Sequence, residues 1–339
     1  MKTFLRFLLI LLASLLLVNA WIVFAGHAQF PAPPDPHFDA YIDMSLRDDI
    51  NVKRPQIILL GDSMVAENVD VAHLSIALGQ EVYPVGAPGS SSALWYLAIK
   101  NNIAIAEPRP QSIIILFRDS MLTTPNYGIG RNIDEDFDAI AGQDEELFLQ
   151  LAFINSMNPL ERFVYQYLPI YNAGDQFRES VEFFHRLYPP RYLLHCNRRC
   201  VDSAFINIFN FRTIAPPAAN DPIAQQESIL YSARSLNFSA QVGKSFLPEI
   251  IRLCRERGIH LIFVRGKTIS FVDLPKPRGL DAYILDLQTY LTQNGASFAD
   301  LEPDARLASA DYIDRFHVQP AARGTYTQML AEALRPLLP

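Results

Sequence analysis

Cysteine is scarce in this chain, with three in 339 residues, and that excludes a scaffold built on disulfides. Cys196 and Cys200, in the segment His195-Cys-Asn-Arg-Arg-Cys200, could close a small loop in an oxidising compartment. Cys254 lies in an apolar helical pattern and reads as a small buried side chain. A histidine beside two cysteines raises the question of zinc, but no fourth ligand is apparent and the spacing is not that of a closed site. Basic charge is also short: 29 Lys and Arg stand against 36 Asp and Glu, a formal net charge of -7. With no basic stripe to offset that balance, nucleic acid is not an expected partner. Two catalytic signatures are missing as well. There is no Gly-x-Ser-x-Gly elbow of the α/β-hydrolases, and no Gly-x-Gly-x-x-Gly follows a strand to bind a dinucleotide. No convincing set of metal ligands occurs, so neither cofactor nor metal is expected. Internal repeats and low-complexity tracts are absent too.

What the chain does have begins with a long apolar run. Phe7 to Ala25 is nineteen residues in which only Ser14 and Asn19 are polar, preceded by Lys2 and Arg6. That length falls within the roughly 17–25 residues that cross a bilayer core as a helix. Charges confined to its N-terminal side place that end inside. A cleaved signal peptide is the alternative, since Gly26-His27-Ala28 and, more weakly, Val18-Asn19-Ala20 offer small residues for cleavage. The run exceeds a usual signal core, which favours an uncut anchor. Either way the rest of the chain is exported, and without Lys2 and Arg6 it keeps 27 basic against 36 acidic residues, a net charge of -9. The expected location is the inner or cytoplasmic membrane, crossed once by residues 7–25, with the C-terminal part in the periplasm or outside the cell.

Residues 1–26 are therefore read as anchor or signal. Residues 27–52 are a proline-rich spacer and lead-in, since Gln29-Phe-Pro-Ala-Pro-Pro-Asp-Pro-His37 cannot form a helix. Residues 53–339 form the main domain, whose folded part begins near Asp39 or Lys53. Apolar runs predict strands at Gln56–Leu60, Glu81–Val85, Ser112–Phe117, Ile259–Val264 and Ser297–Leu301. Helical patterns fall at Val69–Gly79, Ser91–Asn101, Phe246–Arg257, Leu280–Gln293 and Ala321–Leu334. This alternation predicts a mostly parallel sheet covered on both faces. From about 121 to 236 the rhythm weakens into an acidic cluster at Asp134–Asp138, aromatic pieces and proline pairs, which reads as a helical insertion.

In such a sheet, the loops at the C-terminal strand ends converge on the ligand crevice. Gly61-Asp-Ser63, Gly86-Ala-Pro-Gly89 and Arg118-Asp-Ser120 all fall at such ends. A serine hydroxyl is a weak nucleophile at neutral pH and needs a base within hydrogen-bond reach, plus donors for the developing oxyanion. Asp314 and His317, three apart before the last helix, could supply that base and its orienting carboxylate. Asp62 is expected to brace the serine loop, and Ser90, Ser91 and Ser92 to serve as loop and cap groups. Arg265 and Lys267 follow another strand and could bind a phosphate or sugar carboxylate, or form a solvated basic turn. His260 is expected to be structural, while His195 has no assigned role.

These blocks resemble the SGNH hydrolase superfamily, the GDSL-like esterases, over Gln56 to Leu334. The resemblance implies a three-layer α/β/α fold, with Ser63 as nucleophile and Asp314 and His317 as its partners. It implies an oxyanion hole made by the Ser63 amide and Gly89, with Gly86 as the alternative. The family's third block, Gly-x-Asn-Asp, would fall on Leu116-Phe-Arg-Asp119, so Arg118 stands where an asparagine amide belongs. Arg118 could donate to the oxyanion or hold an anionic substrate group; otherwise it is a surface arginine paired with Asp119. Anchor, insertion and altered third block look similar to exported relatives that assist cell-envelope acylation beside membrane-bound O-acyltransferases. The expected partners are an acyl donor, an envelope carbohydrate or glycopolymer and, as a further candidate, such a membrane enzyme. An exported esterase on carbohydrate or small esters, and a non-catalytic assembly protein, are the alternatives.

Overall fold

The computed structural model describes residues 2–25, 30, 45–127, 140–141, 145–155, 157–170, 228–269 and 276–339. Residues 31–44 of the spacer and lead-in, with 27–29 before them, the acidic cluster 134–138, and His195, Cys196 and Cys200 lie outside the described residues. Residue contacts gather into two units, one formed by Met1–Pro36 and Phe153–Asp221, the other by His37–Ala152 and Pro222–Pro339.

The second unit is built on five parallel strands in the order β2-β1-β3-β4-β5. They are β1 (Ile57–Gly61), β2 (Val82–Gly86), β3 (Ser112–Phe117), β4 (His260–Arg265) and β5 (Ser297–Asp300). Each predicted strand is present, displaced by at most a residue. β1 and β3 are buried along their whole length, which is why they read as continuous Ile and Leu runs rather than alternating ones. β2 is an edge strand, and Pro84, which has no N–H to donate, sits in it at no cost to an interior ladder.

Side chains alternate across the sheet. Ile57, Leu59, Ile114, Leu116, Ile262 and Val264 pack into one apolar cluster. The same cluster takes residues of α3 (Ser63–Asn68), α4 (Val71–Leu78) and the final long helix, Arg323–Leu334. The opposite face is covered by α5 (Ser92–Asn101) and by the helices Leu247–Glu256 and Leu280–Gln293. Trp95, Phe246 and Phe263 are fully enclosed. The arrangement is the three-layer α/β/α fold that the strand and helix alternation implies. A helix not predicted from the sequence, α2 (Ser45–Lys53), places Ile50 at 0% exposure. Cys254 is free and buried, and burial pushes its thiol up to about 12.

The first unit contains α1 (Lys2–Phe24). Its stretch Thr3–Phe24 is long and apolar enough to cross a membrane. A shorter helix, Pro159–Tyr167, belongs to the same unit.

Candidate active site

Ser63 is the first residue of α3, directly after β1. The glycine before the turn is required by space: a Cβ at Gly61 would meet the Leu116 carbonyl oxygen and Val65 Cγ2, each at 2.7 Å. Asp62 caps the helix, its Oδ1 accepting the Met64 N–H at 2.9 Å. That cap explains why the helix starts where it does. At its far end, Arg323 Nη2 donates to the carbonyls of Ala66 and Val69, at 2.7 and 2.5 Å. The helix that begins at Ser63 is thus held at both ends.

His317 reaches this serine from a loop more than 250 positions away in sequence. Tyr312 and Val318 form an antiparallel bridge at the base of that loop, and the Ile313 N–H donates to the His317 carbonyl at 2.8 Å. Within it, Asp314 Oδ1 accepts the N–H groups of Phe316 and His317 at 2.9 and 2.8 Å. Its other oxygen lies 2.7 Å from His317 Nδ1. His317 Nε2 in turn lies 2.7 Å from Ser63 Oγ. The structure therefore brings Asp314, His317 and Ser63 into one hydrogen-bonded line. Burial raises the Asp314 pKa, but the Phe316 N–H, the His317 ring and the His317 N–H together outweigh it and hold the carboxyl below its ordinary value.

Asn68, which the sequence did not single out, fixes the loop on both sides of the histidine. Its Nδ2 donates to the Phe316 carbonyl at 2.8 Å, and its Oδ1 accepts the Val318 N–H at 3.0 Å. Asn68 is fully buried. Nothing local in the sequence marks it, because both partners lie about 250 residues downstream.

The second block forms a turn at the end of β2. Ser90 N–H donates to the Ala87 carbonyl at 3.0 Å, and Gly89 has φ of 78°. Pro88 followed by a left-handed glycine is the composition of a type II turn. The turn is tied to β1, since the Ala87 N–H and Ser90 Oγ both donate to the Gly61 carbonyl, each at 3.2 Å. Ser90 also accepts from Trp95 Nε1 at 2.9 Å, while Ser91 Oγ donates to the Tyr127 carbonyl at 2.7 Å. Gly86 packs its α-carbon close to Val65, where an added Cβ would come to 3.2 Å.

Arg118 differs from the surface residue paired with Asp119 that was one expectation from the sequence. It is 3% exposed, its Nε stands 3.5 Å from Asp62 Oδ2, and its Nη2 donates to Tyr127 Oη at 3.0 Å. Its guanidinium carbon lies 4.2 Å from the centre of the Phe316 ring. A buried cation needs such partners. Burial raises the Asp62 pKa above the ordinary value, and Arg118, the Met64 N–H and His317 offset that only in part.

Asp119 is engaged elsewhere. Its Oδ1 accepts from Arg265 Nε and Nη2 at 3.1 and 2.7 Å, and its Oδ2 from Tyr231 Oη at 2.7 Å. Arg265 also meets Asp300 at 3.2 Å and is buried, so it is neither a solvated turn nor an open anion site. Asp119 holds a positive φ of 41°, a conformation costly for a residue with a Cβ and maintained here by that ion pair. Lys267 Nζ donates to the Glu302 carbonyl at 3.0 Å. His260 Nε2 contacts the Leu337 carbonyl at 2.9 Å, which gives it a structural place. Among the described residues, no group of three or more His, Cys, Asp and Glu side chains could hold a metal ion.

No protein-family model and no curated protein matches the chain. Among solved structures it is similar to a candidate acylhydrolase from Bacteroides fragilis NCTC 9343, at 10% identity and a TM-score of 0.39, over 84% of this chain and 88% of that one. It is also similar to a GDSL-like lipase from Bacteroides thetaiotaomicron VPI-5482, at 8% identity and a TM-score of 0.39, over 85% and 89%. Similarity at this level assigns no reaction, and the chemistry rests on the residues of the chain itself.

Proposed function

We propose that the protein is a serine-dependent acyl-transfer enzyme working through an ester on Ser63. The observation that carries this reading is the 2.7 Å contact between His317 Nε2 and Ser63 Oγ, with Asp314 at 2.7 Å on the other ring nitrogen. As Ser63 Oγ bonds to the carbonyl carbon of an ester, His317 takes its proton. The carbonyl electrons move onto oxygen, where the Ser63 N–H and the Gly89 N–H stabilise them. Ser63 is the first residue of a helix, and such N–H groups have no intrahelical acceptor. Collapse of this tetrahedral species expels the alcohol of the donor, which receives the proton from His317. The same histidine then deprotonates the acceptor hydroxyl, which attacks the acyl group and frees Ser63. Asp314 keeps the imidazole in the required tautomer and stabilises its charged form.

The acceptor decides the name of the reaction. Water makes the protein an esterase on carbohydrate or small esters. A hydroxyl of an envelope polysaccharide or glycopolymer makes it a transferase, with the acyl donor presented by a membrane-bound O-acyltransferase. Helix α1 favours the second reading, because an uncleaved anchor with Lys2 and Arg6 inside would hold the domain in the periplasm or outside the cell, against envelope polymers. The buried ion pairs of Arg118 and Arg265 leave neither as an open anion-binding group, so the substrate expected is an uncharged ester. Incubation with an activated acetyl ester, followed by intact-mass measurement, should reveal one acyl adduct in the wild-type protein and none in Ser63→Ala. An adduct that survives Ser63→Ala removes the nucleophile assignment. Adding candidate oligosaccharides then separates transfer from hydrolysis by whether the acyl group leaves on sugar or as free acid.

A further inference from the structure

The helix Pro159–Tyr167, here α6, presents an apolar stripe to the outside. Leu160, Phe163 and Tyr167 are 71%, 56% and 46% exposed. Their spacing of three and then four residues puts them on one helical face. Single exposed apolar residues need no explanation, but three on one face of a short helix do. The opposite side carries Arg162, which is also exposed. A helix with one apolar aromatic face and one polar face has the composition of a segment lying in a membrane interface.

Where this segment meets α1 identifies what covers it. The Ile170 N–H donates to Asn19 Oδ1 at 2.9 Å, and Asn19 Nδ2 donates to the Leu15 carbonyl at 2.7 Å. Asn19, the second of the two polar residues in the apolar run, is thereby buried and satisfied. The Tyr167 ring makes an edge contact with Phe30 at 6.2 Å and packs on Phe163 at 5.2 Å. At a helical rise of 1.5 Å per residue, Asn19 lies about 7–8 Å before the end of α1 at Phe24. The 23 residues of α1 span about 34 Å, close to the thickness of a hydrocarbon core of about 30 Å. Ile170 is therefore held at the level where acyl chains give way to headgroups on the side remote from Lys2 and Arg6. Trp21 and Phe24, 64% and 90% exposed, follow Asn19 in the remaining turn and a half of α1. Aromatic side chains are enriched at this boundary.

We propose that the Leu160, Phe163 and Tyr167 face of α6 docks on the lipid bilayer beside the anchor, as an in-plane interfacial helix. This rests on α1 remaining as a membrane span, and it is independent of the chemistry at Ser63. The occupant is lipid rather than protein because the stripe is continuous, through Tyr167 and Ile170, with a helix whose own surroundings are acyl chains. Arg162 alone supplies basic charge to the described polar face, so zwitterionic lipid suffices.

The test uses the full chain in zwitterionic nanodiscs, with Phe163→Trp and, on the opposite face, Arg162→Trp. Emission is compared with the wild type to isolate the new indole in each variant. In Phe163→Trp, lipid brominated near the headgroup should remove roughly half of the added signal, and lipid brominated near the chain end less. Neither lipid should affect the added signal in Arg162→Trp. Iodide in the water should quench the indole of Arg162→Trp but not that of Phe163→Trp. Iodide quenching at position 163, or protection of that position from both quenchers by a protein contact, would overturn the proposal. So would loss of α1 from the mature protein by intact mass. An acyl adduct on Ser63 in the same sample would show the chemistry intact while the docking fails.

Discussion

The guanidinium of Arg118 is stacked on the ring of Phe316, 4.2 Å from carbon to ring centre. Phe316 is the immediate neighbour of His317, and their rings meet edge-on at 4.5 Å. Arg118 also faces Asp62, the cap of the helix that carries Ser63. One buried cation therefore touches both halves of the site without contacting solvent.

Arg118→Met should lower kcat while leaving KM for a neutral ester nearly unchanged. It breaks a buried pair, at a cost of about 3–5 kcal/mol in stability if Asp62 stays charged, and less if Asp62 protonates. Arg118→Lys should restore part of the stability and little of the stacking. Steady-state kinetics with thermal unfolding decide the matter, and a raised KM at constant kcat would instead put Arg118 in contact with substrate.

Asn68→Ala should strand the Phe316 carbonyl and the Val318 N–H, each costing about 1–3 kcal/mol if it finds no water. The His317 loop would lose its register with α3. The expected drop in kcat is about 10-fold to 100-fold, since small misplacements of a base are felt strongly. Asn68→Asp keeps the acceptor for Val318 and loses the donor to Phe316, so its activity should fall between the two. Unchanged kcat in Asn68→Ala would show that the loop is held by other means.

Asp314 has a folded pKa below its ordinary value. Its ionised form is thus favoured by folding, and the associated stability is present above the ordinary carboxylate pKa of about 3.9 and lost as pH falls through the folded value. Urea unfolding of wild type and Asp314→Asn across acidic pH should give curves that converge as the solution is acidified. At neutral pH the same variant should lose about three to four orders of magnitude in kcat, because the imidazole is no longer held in the useful tautomer. Parallel stability curves down to about pH 2 would mean that Asp314 does not gain from folding.

Arg265→Met leaves Asp119 buried with Tyr231 as its remaining polar partner from this cluster. A loss of about 3–5 kcal/mol is expected, read as a lower midpoint in denaturant. Asp119→Asn with Arg265→Met should recover part of it. A substrate role for Arg265 would show instead as a raised KM at wild-type stability.

The sheet was legible because buried parallel strands are written as uninterrupted apolar runs, and β3 as Ser112-Ile-Ile-Ile-Leu-Phe117 is the plainest of them. The pairing of Ser63 with His317 followed from placing one short block at the end of the first strand and the other just before the last helix. The partners of Arg118 did not follow. Sequence proximity suggested Asp119, but the backbone turns between the two, from an extended Arg118 to an Asp119 with φ of 41°, and Arg118 turned to Asp62 while Asp119 turned to Arg265. Asn68 and α2 were missed for related reasons. Asn68 owes its role to contacts across most of the chain, and α2 is a polar helix recognisable only through the burial of Ile50.

The distance along the chain between Ser63 and His317 has a consequence for the timing of synthesis. A chain made from its N-terminus carries its serine long before its histidine. Until Asp314 to His317 has followed and closed onto α3, the serine has no base. In the proposed reaction, acyl chemistry would therefore be silent in the nascent chain and would begin only when the last segment locks into place.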